Sequence, residues 1–105
     1  MNKRIWMTIN INEDGEKIVM DVMGLIKGVT DSQRLKDAIE SIQNKRKYIE
    51  INIHESFAVN STIVGYLRKK IKIDGLSISV RVKDERLYEL FDELKLLDIF
   101  NVSRL

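Results

Sequence analysis

The first part of the chain alternates between apolar and polar residues, a pattern typical of half-buried β-strands. Ile5 to Ile11 place an apolar side chain at every second position, and Lys17 to Met23 repeat the alternation. Asp14-Gly15 lies between them, and this dipeptide between two alternating runs favours a tight hairpin. The sequence therefore predicts an antiparallel two-stranded ribbon, followed by a short loop between Gly24 and Gly28.

The rest of the chain alternates between helical and strand patterns. Apolar residues recur at helical spacing in 32–45, in a segment that opens at Asn60-Ser61-Thr62 and stops at Asp74-Gly75, and in a segment capped by Asp84. Segments 48–53 and 76–82 alternate as strands, and 97–102 is a short apolar piece. Thr30 or Asp31 is the predicted cap of the first helix, and Asn60 or Ser61 that of the second.

The predicted order β-β-α-β-α-β-α indicates an α/β fold with a mixed sheet of four to five strands. Strands joined through helices run parallel, with right-handed crossovers. A sheet covered on both faces has continuous apolar strands, so the strict alternation predicts helices mainly on one face. The other, more open face is expected to carry Asn52, Ser77, Ser79 and Arg81. A chain of 105 residues with 44% hydrophobic content suits one domain over 1–105.

Composition excludes several classes of function. The chain has no cysteine and one histidine, His54, which removes disulfides, thiol nucleophiles and multi-histidine metal sites. No nucleophile–base pair, phosphate-binding glycine loop or metal set is present, so we predict a protein that is not an enzyme and holds no cofactor or metal. Apolar runs reach only three residues, which predicts neither a membrane span nor an export signal and favours the cytoplasm.

Charge is unevenly distributed along the chain. Residues 60–83 carry six basic residues against one acidic residue, whereas 84–105 carry six acidic residues against three basic ones. The cations of the second helix are expected to face mostly outward; they are Arg68, Lys69, Lys70 and Lys72. Only Tyr66 is near them as a base-stacking aromatic, so we predict no nucleic-acid binding.

The segment from Glu55 to Gly65 joins the end of a strand to the start of a helix. Free backbone N–H groups and the helix dipole suit an anion at such a junction. A phosphate on Ser61 or Thr62 would therefore be tolerated electrostatically and would add roughly −1.5 to −2 charge. The alternative is that Asn60 or Ser61 is a helix cap without further function.

This junction resembles the Asp-Ser-Ser/Thr-Gly signature of STAS domains, the family that includes bacterial anti-sigma factor antagonists. The matching residues are Asn60-Ser61-Thr62 followed by Ile63, with Asn60 at the place of the family's aspartate and Ile63 at that of its glycine. The carboxyl-terminal part of the chain is also similar to that of STAS domains, because Leu87, Leu90 and Phe91 precede the short apolar stretch 97–102. The resemblance covers nearly the whole chain.

The resemblance implies a protein-binding regulatory module that acts in transcription regulation. Ser61 corresponds to the serine that a partner, both kinase and anti-sigma factor, phosphorylates; the unphosphorylated form binds that partner. The partner-binding face would then comprise Phe57, Asn60, Ser61, Thr62, Tyr66, Arg68 and Lys69. The alternative is a scaffold subunit of a stress-sensing or transport complex that uses the same face without phosphorylation. The oligomeric state stays open.

Overall fold

The computed structural model describes residues 7–42 and 48–105, which form one five-stranded sheet and three helices. The elements are β1 (Thr8–Asp14), β2 (Lys17–Met23), α1 (Gly28–Ile42), β3 (Tyr48–Ile53), α2 (Ser61–Lys72), β4 (Ser77–Val82), α3 (Glu85–Glu93) and β5 (Ser103–Arg104). The strands lie in the order β1-β2-β3-β4-β5. β1 and β2 are antiparallel, and every later neighbour is parallel.

The predicted elements are present, with differences at their ends. The start of the first alternating run, at Ile5, and the end of the first helix at residues 43–45 lie outside the described residues. α1 begins at Gly28, four residues before the predicted start, so the prediction of Thr30 or Asp31 as a preceding cap is wrong. The reason is local: Asp31 lies inside the first turn, where its Oδ2 accepts a hydrogen bond from the Lys27 N–H at 2.8 Å.

The pairing register aligns the buried side chains in rows across one face of the sheet. Met20 lies beside Ile51, and Ile51 lies beside Val80. This face packs against buried residues of all three helices, such as Leu35, Leu67 and Leu87, in one hydrophobic cluster. The predicted α/β fold with helices mainly on one face is confirmed.

The opposite face of the sheet carries a network of charged side chains. Asp21 Oδ1 accepts a hydrogen bond from Asn52 Nδ2 at 3.2 Å and lies 2.9 Å from His54 Nε2. Glu50 contacts Lys17 Nζ at 3.0 Å and Arg81 Nη1 at 3.6 Å.

Ser77, Ser79 and Arg81 are exposed or half-buried, as expected, but Asn52 is only 6% exposed. Its expected open surroundings are a wrong prediction, because it lies among the longer side chains of this network.

Acid titration should reveal the contribution of Asp21 to stability. The hydrogen bond with His54, which outweighs desolvation, holds the pKa of Asp21 below its usual value, and the Asn52 hydrogen bond lowers it further. The folded chain therefore binds this proton at lower pH than the unfolded chain. The stabilisation is complete above about pH 4 and is lost as the pH falls through the lowered folded pKa.

We expect Asp21→Asn to lose less stability than the wild type when urea midpoints are compared between neutral and acidic pH. The matched control Asp92→Asn removes a carboxylate from the exposed surface of α3. Identical pH profiles for Asp21→Asn and the wild type would contradict this role of the His54 pair.

Candidate functional site

Two loops meet at the carboxyl ends of the parallel strands β2 and β3. Glu55 Oε1 accepts a hydrogen bond from the Gly24 N–H at 2.6 Å. The Ser56 hydroxyl, 2% exposed, accepts from the Ile26 N–H at 3.1 Å and donates to the Ala58 carbonyl at 2.8 Å. Glu55 and Ser56 thus fix the loop before α2 to the loop before α1. Neither residue was predicted to have this role; the one signal in the sequence is that two polar residues follow His54 at the end of a buried strand.

Asn60 joins the first turns of α1 and α2. Its backbone is extended, and its Oδ1 accepts a hydrogen bond from the Ile63 N–H at 3.0 Å, so Asn60 is the N-cap of α2. Its Nδ2 donates to Ser32 Oγ at 2.6 Å and to the Gly28 carbonyl at 3.3 Å. Of the two caps that the sequence allows, the structure has Asn60 and not Ser61.

Ser61 and Thr62 open α2 on the protein surface. Both are exposed, and no hydrogen-bond partner for the Ser61 hydroxyl lies among residues 7–42 and 48–105. Backbone N–H groups in the first turn of a helix lack intrahelical partners, and the Asn60 side chain accepts that of Ile63. The start of α2 can therefore accommodate an anion on the Ser61 side chain without breaking an existing contact.

Apolar side chains are exposed on both sides of this junction. Phe57 is 43% exposed, and the Arg86 guanidinium lies 4.5 Å from its ring centroid. Arg86 also contacts the Asp84 carboxylate through two nitrogens, at 3.0 and 2.7 Å. Val29, in the first turn of α1, is 83% exposed. Val29 is a candidate contact residue that the sequence analysis missed, because nothing in the sequence places the start of α1 beside that of α2.

The cations of α2 divide into two groups. Arg68, Lys69 and Lys72 are exposed, as predicted. Lys70 is only 7% exposed, so its predicted outward orientation is wrong. Its Nζ lies 2.6 Å from Glu40 Oε2 of α1 and 2.9 Å from Asp74 Oδ2, which explains why a lysine is tolerated there.

Tyr66 of α2 forms a side-chain hydrogen bond with α1. It is half-buried, and its hydroxyl donates to Glu40 Oε2 at 2.5 Å. Burial and the Glu40 carboxylate raise the pKa of Tyr66 above its usual value. The ammonium of Lys70 lies 5.4 Å from the ring centroid. Tyr66 therefore has a structural role in addition to its predicted place on the binding face.

The structure brings part of the predicted binding face together. Asn60, Ser61 and Thr62 are adjacent at the start of α2, and Phe57 lies in the loop before it, whereas Arg68 and Lys69 lie about two turns further along the helix. Within residues 7–42 and 48–105, no group of acidic or histidine side chains could hold a metal ion. No helix of this described part is long and apolar enough to cross a membrane.

Comparisons with known proteins identify the fold. No family model matches the chain, and no curated protein sequence matches it. A solved structure that does match is the crystal structure of an anti-sigma factor antagonist from Mycobacterium paratuberculosis, with a TM-score of 0.78 and 15% sequence identity. The match covers 98% of this chain and 90% of that chain. The predicted STAS-like fold is thereby confirmed.

Proposed function

We propose that the chain is a cytoplasmic, non-enzymatic regulatory module of the anti-sigma factor antagonist type, switched by phosphorylation of Ser61. The observation that carries this proposal is the exposed Ser61 hydroxyl, which has no partner in the described part of the chain, while Asn60 caps α2. A serine that the helix does not need as a cap is free to act as a phosphoacceptor. The fold shared with an anti-sigma factor antagonist supports the same role.

The proposed partner is an anti-sigma factor that is also a serine kinase. It would dock on the junction surface, defined as Phe57, Asn60, Ser61 and Thr62. The exposed cations Arg68 and Lys69 would lie at its rim, where charges act mainly on the association rate. Phosphorylation would place about two negative charges in the centre of this surface. The partner would then have to desolvate those charges, which disfavours binding.

Ser61→Asp should mimic the phosphorylated form of the chain, and Ser61→Ala the unphosphorylated form. We expect Ser61→Asp to remain folded, because a negative charge is favourable at the start of a helix, and to bind the partner at least about tenfold more weakly. Ser61→Ala should bind within about twofold of the wild type, since the hydroxyl makes no described contact that it could lose. Titration calorimetry with the kinase-type partner measures both affinities.

The matched control is Ser77→Asp, which adds the same charge at an exposed serine at the amino end of β4, away from the junction. Equal affinities for Ser61→Asp and Ser61→Ala would exclude the phosphoswitch. Intact mass after incubation with the partner and ATP provides the second readout. A phosphoryl group that is present on the wild type and absent from Ser61→Ala supports the proposal.

A second candidate function is that of a scaffold subunit that uses the same surface without phosphorylation. Asn60 favours it, because its Nδ2 donates two hydrogen bonds that the aspartate of the STAS signature, an acceptor only, cannot make. The junction then has one negative charge fewer than the signature implies. Stable assembly of the unphosphorylated chain with its partner subunits, unaffected by Ser61→Asp, would identify this function.

A further inference from the structure

The two edges of the sheet differ in how they are protected. β5 is only two residues long, and its Arg104 pairs with Glu85 at 2.7 Å and lies 3.8 Å from the Tyr88 ring centroid. Short edge strands with charged side chains are devices that prevent edge-to-edge pairing. β1 is seven residues long and contains no lysine or proline, and its charged residues, Glu13 and Asp14, lie at its carboxyl end, so that 8–12 are uncharged. Its pairing with β2 runs without a bulge from Thr8 to Asp14.

The outer side of β1 faces no other strand of the described part of the chain. Within residues 7–42 and 48–105, β1 pairs only with β2. The alternate backbone groups that point away from β2 therefore form hydrogen bonds with no other described strand. On the helix-covered face, Ile9 is half-buried and Ile11 is 42% exposed. An exposed isoleucine on an unprotected edge strand marks a surface that a further strand would bury.

We propose that this edge pairs with β1 of a second copy of the chain, antiparallel and centred on Asn10. The segment Thr8-Ile9-Asn10-Ile11-Asn12 has the same polar–apolar pattern in both directions. In an antiparallel pair about a two-fold axis through Asn10, each residue faces the residue at the same distance on the other side of Asn10, so polar residues meet polar residues and apolar residues meet apolar residues. Residues 8–12 carry no charge, so two copies can pair here without like charges opposite each other.

The Asn10-centred register matches each side chain with a suitable neighbour. Ile9 of one copy lies opposite Ile11 of the other, so four isoleucines form a continuous row on the helix-covered face. The two Asn10 amides, which can both donate and accept, face each other on the open face. Cross-strand pairs of these kinds stabilise antiparallel ribbons. Glu13 and Asp14 lie beyond the five paired residues, so the pairing requires nothing of them.

The resulting dimer is a continuous ten-stranded sheet. It goes beyond the proposed function, because Ser61 is the first residue of α2 and β1 contributes nothing to the junction surface. Partner binding at Ser61 and pairing through β1 are therefore separately testable. A negative result for partner binding at Ser61 would leave the proposed dimer standing, and a negative result for the dimer would leave the proposed function standing.

Single cysteines test the register directly, since the chain has no native cysteine. In Asn10→Cys, the two Cα atoms of a central pair would lie about 4.5–5.5 Å apart, within the range for a disulfide. Under mild oxidation we expect most of this variant to become a disulfide-linked dimer. In the control Asn12→Cys, the Cα atoms of residue 12 in the two copies would lie about four residues apart along the ribbon, roughly 14 Å. No disulfide should form at this distance. Equal cross-linking of the two variants would overturn the register.

Ile11→Lys tests the dimer without a cross-link. A lysine on an edge strand opposes pairing, and Ile11 is exposed enough in one copy to be replaced without opening the core. Light scattering at roughly 100 µM should give about 25 kDa for the wild type, twice the 12.3 kDa of one chain. The variant should give the mass of one chain with an unchanged circular dichroism spectrum. A monomeric wild type, or a folded Ile11→Lys variant that remains dimeric, would overturn the proposal.

Discussion

Phe100→Ala should lower the free energy of unfolding by about 3–5 kcal/mol, the usual range when a buried phenylalanine is truncated. Phe100 is 0% exposed and meets the Phe91 ring edge-on, with the ring centroids 5.8 Å apart. Its carbonyl also accepts a hydrogen bond from the Val80 N–H at 3.1 Å, which fixes the segment 97–102 to β4. This backbone bond limits how far the segment can move to fill the cavity that the mutation leaves. A domain of this size has roughly 5–15 kcal/mol of stability in total, so the loss is large.

Urea denaturation followed by circular dichroism measures this loss. Leu94→Ala is the matched control, because Leu94 is 48% exposed and its substitution should change stability by no more than about 0.5 kcal/mol. Phe100→Leu keeps most of the buried volume and should lie between the two, below about 1.5 kcal/mol. An unfolding midpoint of Phe100→Ala equal to that of Leu94→Ala would show that this segment does not close the core.

Elements with a complete hydrophobic pattern could be predicted from the sequence. β3 occupies Tyr48–Ile53 as predicted, because its alternation is regular and the helical pattern of α2 begins soon after it. β5 has no such pattern, since two exposed residues carry no periodicity; it exists because the backbone of 103–104 lies beside β4. A strand of this kind depends on tertiary pairing, which a single sequence does not encode locally.

The position of Lys70 shows a different limit of sequence reasoning. Spacing alone places Lys70 three residues after the buried Leu67, on the inward side of α2. Its charge favours an outward position, because lysine is almost never buried without a partner. The partners are Asp74, four residues later and just beyond the end of α2, and Glu40, thirty positions earlier in the chain. Only the packing of α1 against α2 brings Glu40 within reach.

The candidate site was predicted in its location but not in its contacts. The junction before α2 was identified from a strand followed by Asn60-Ser61-Thr62, and the structure places these residues together there. The choice between two good N-cap residues was open, since asparagine and serine cap helices about equally well. In the structure Asn60 is the cap, and its amide nitrogen also donates to Ser32 Oγ and to the Gly28 carbonyl, contacts that the sequence does not reveal.

Asn60→Ala should therefore destabilise the fold by about 1–3.5 kcal/mol. Loss of an N-cap costs about 0.5–2 kcal/mol, and the lost hydrogen bonds to Ser32 and Gly28 add about 0.5–1.5 kcal/mol net. Ser61→Ala, the neighbouring control, should stay within about 0.5 kcal/mol of the wild type, because Ser61 is exposed and is not the cap. Urea midpoints of the three proteins measure the difference. Equal losses for Asn60→Ala and Ser61→Ala would contradict the assignment of the cap.

Asn60→Asp separates the capping oxygen from the donating nitrogen. The carboxylate can still accept the Ile63 N–H and is favoured by the dipole of α2, but it cannot donate to the Gly28 carbonyl. Ser32 could turn its hydroxyl towards the carboxylate only by giving up its own 3.0 Å hydrogen bond to the same carbonyl. We therefore expect the stability of Asn60→Asp to lie between that of Asn60→Ala and the wild type. A variant as stable as the wild type would show that the amide nitrogen does not hold α1 to α2.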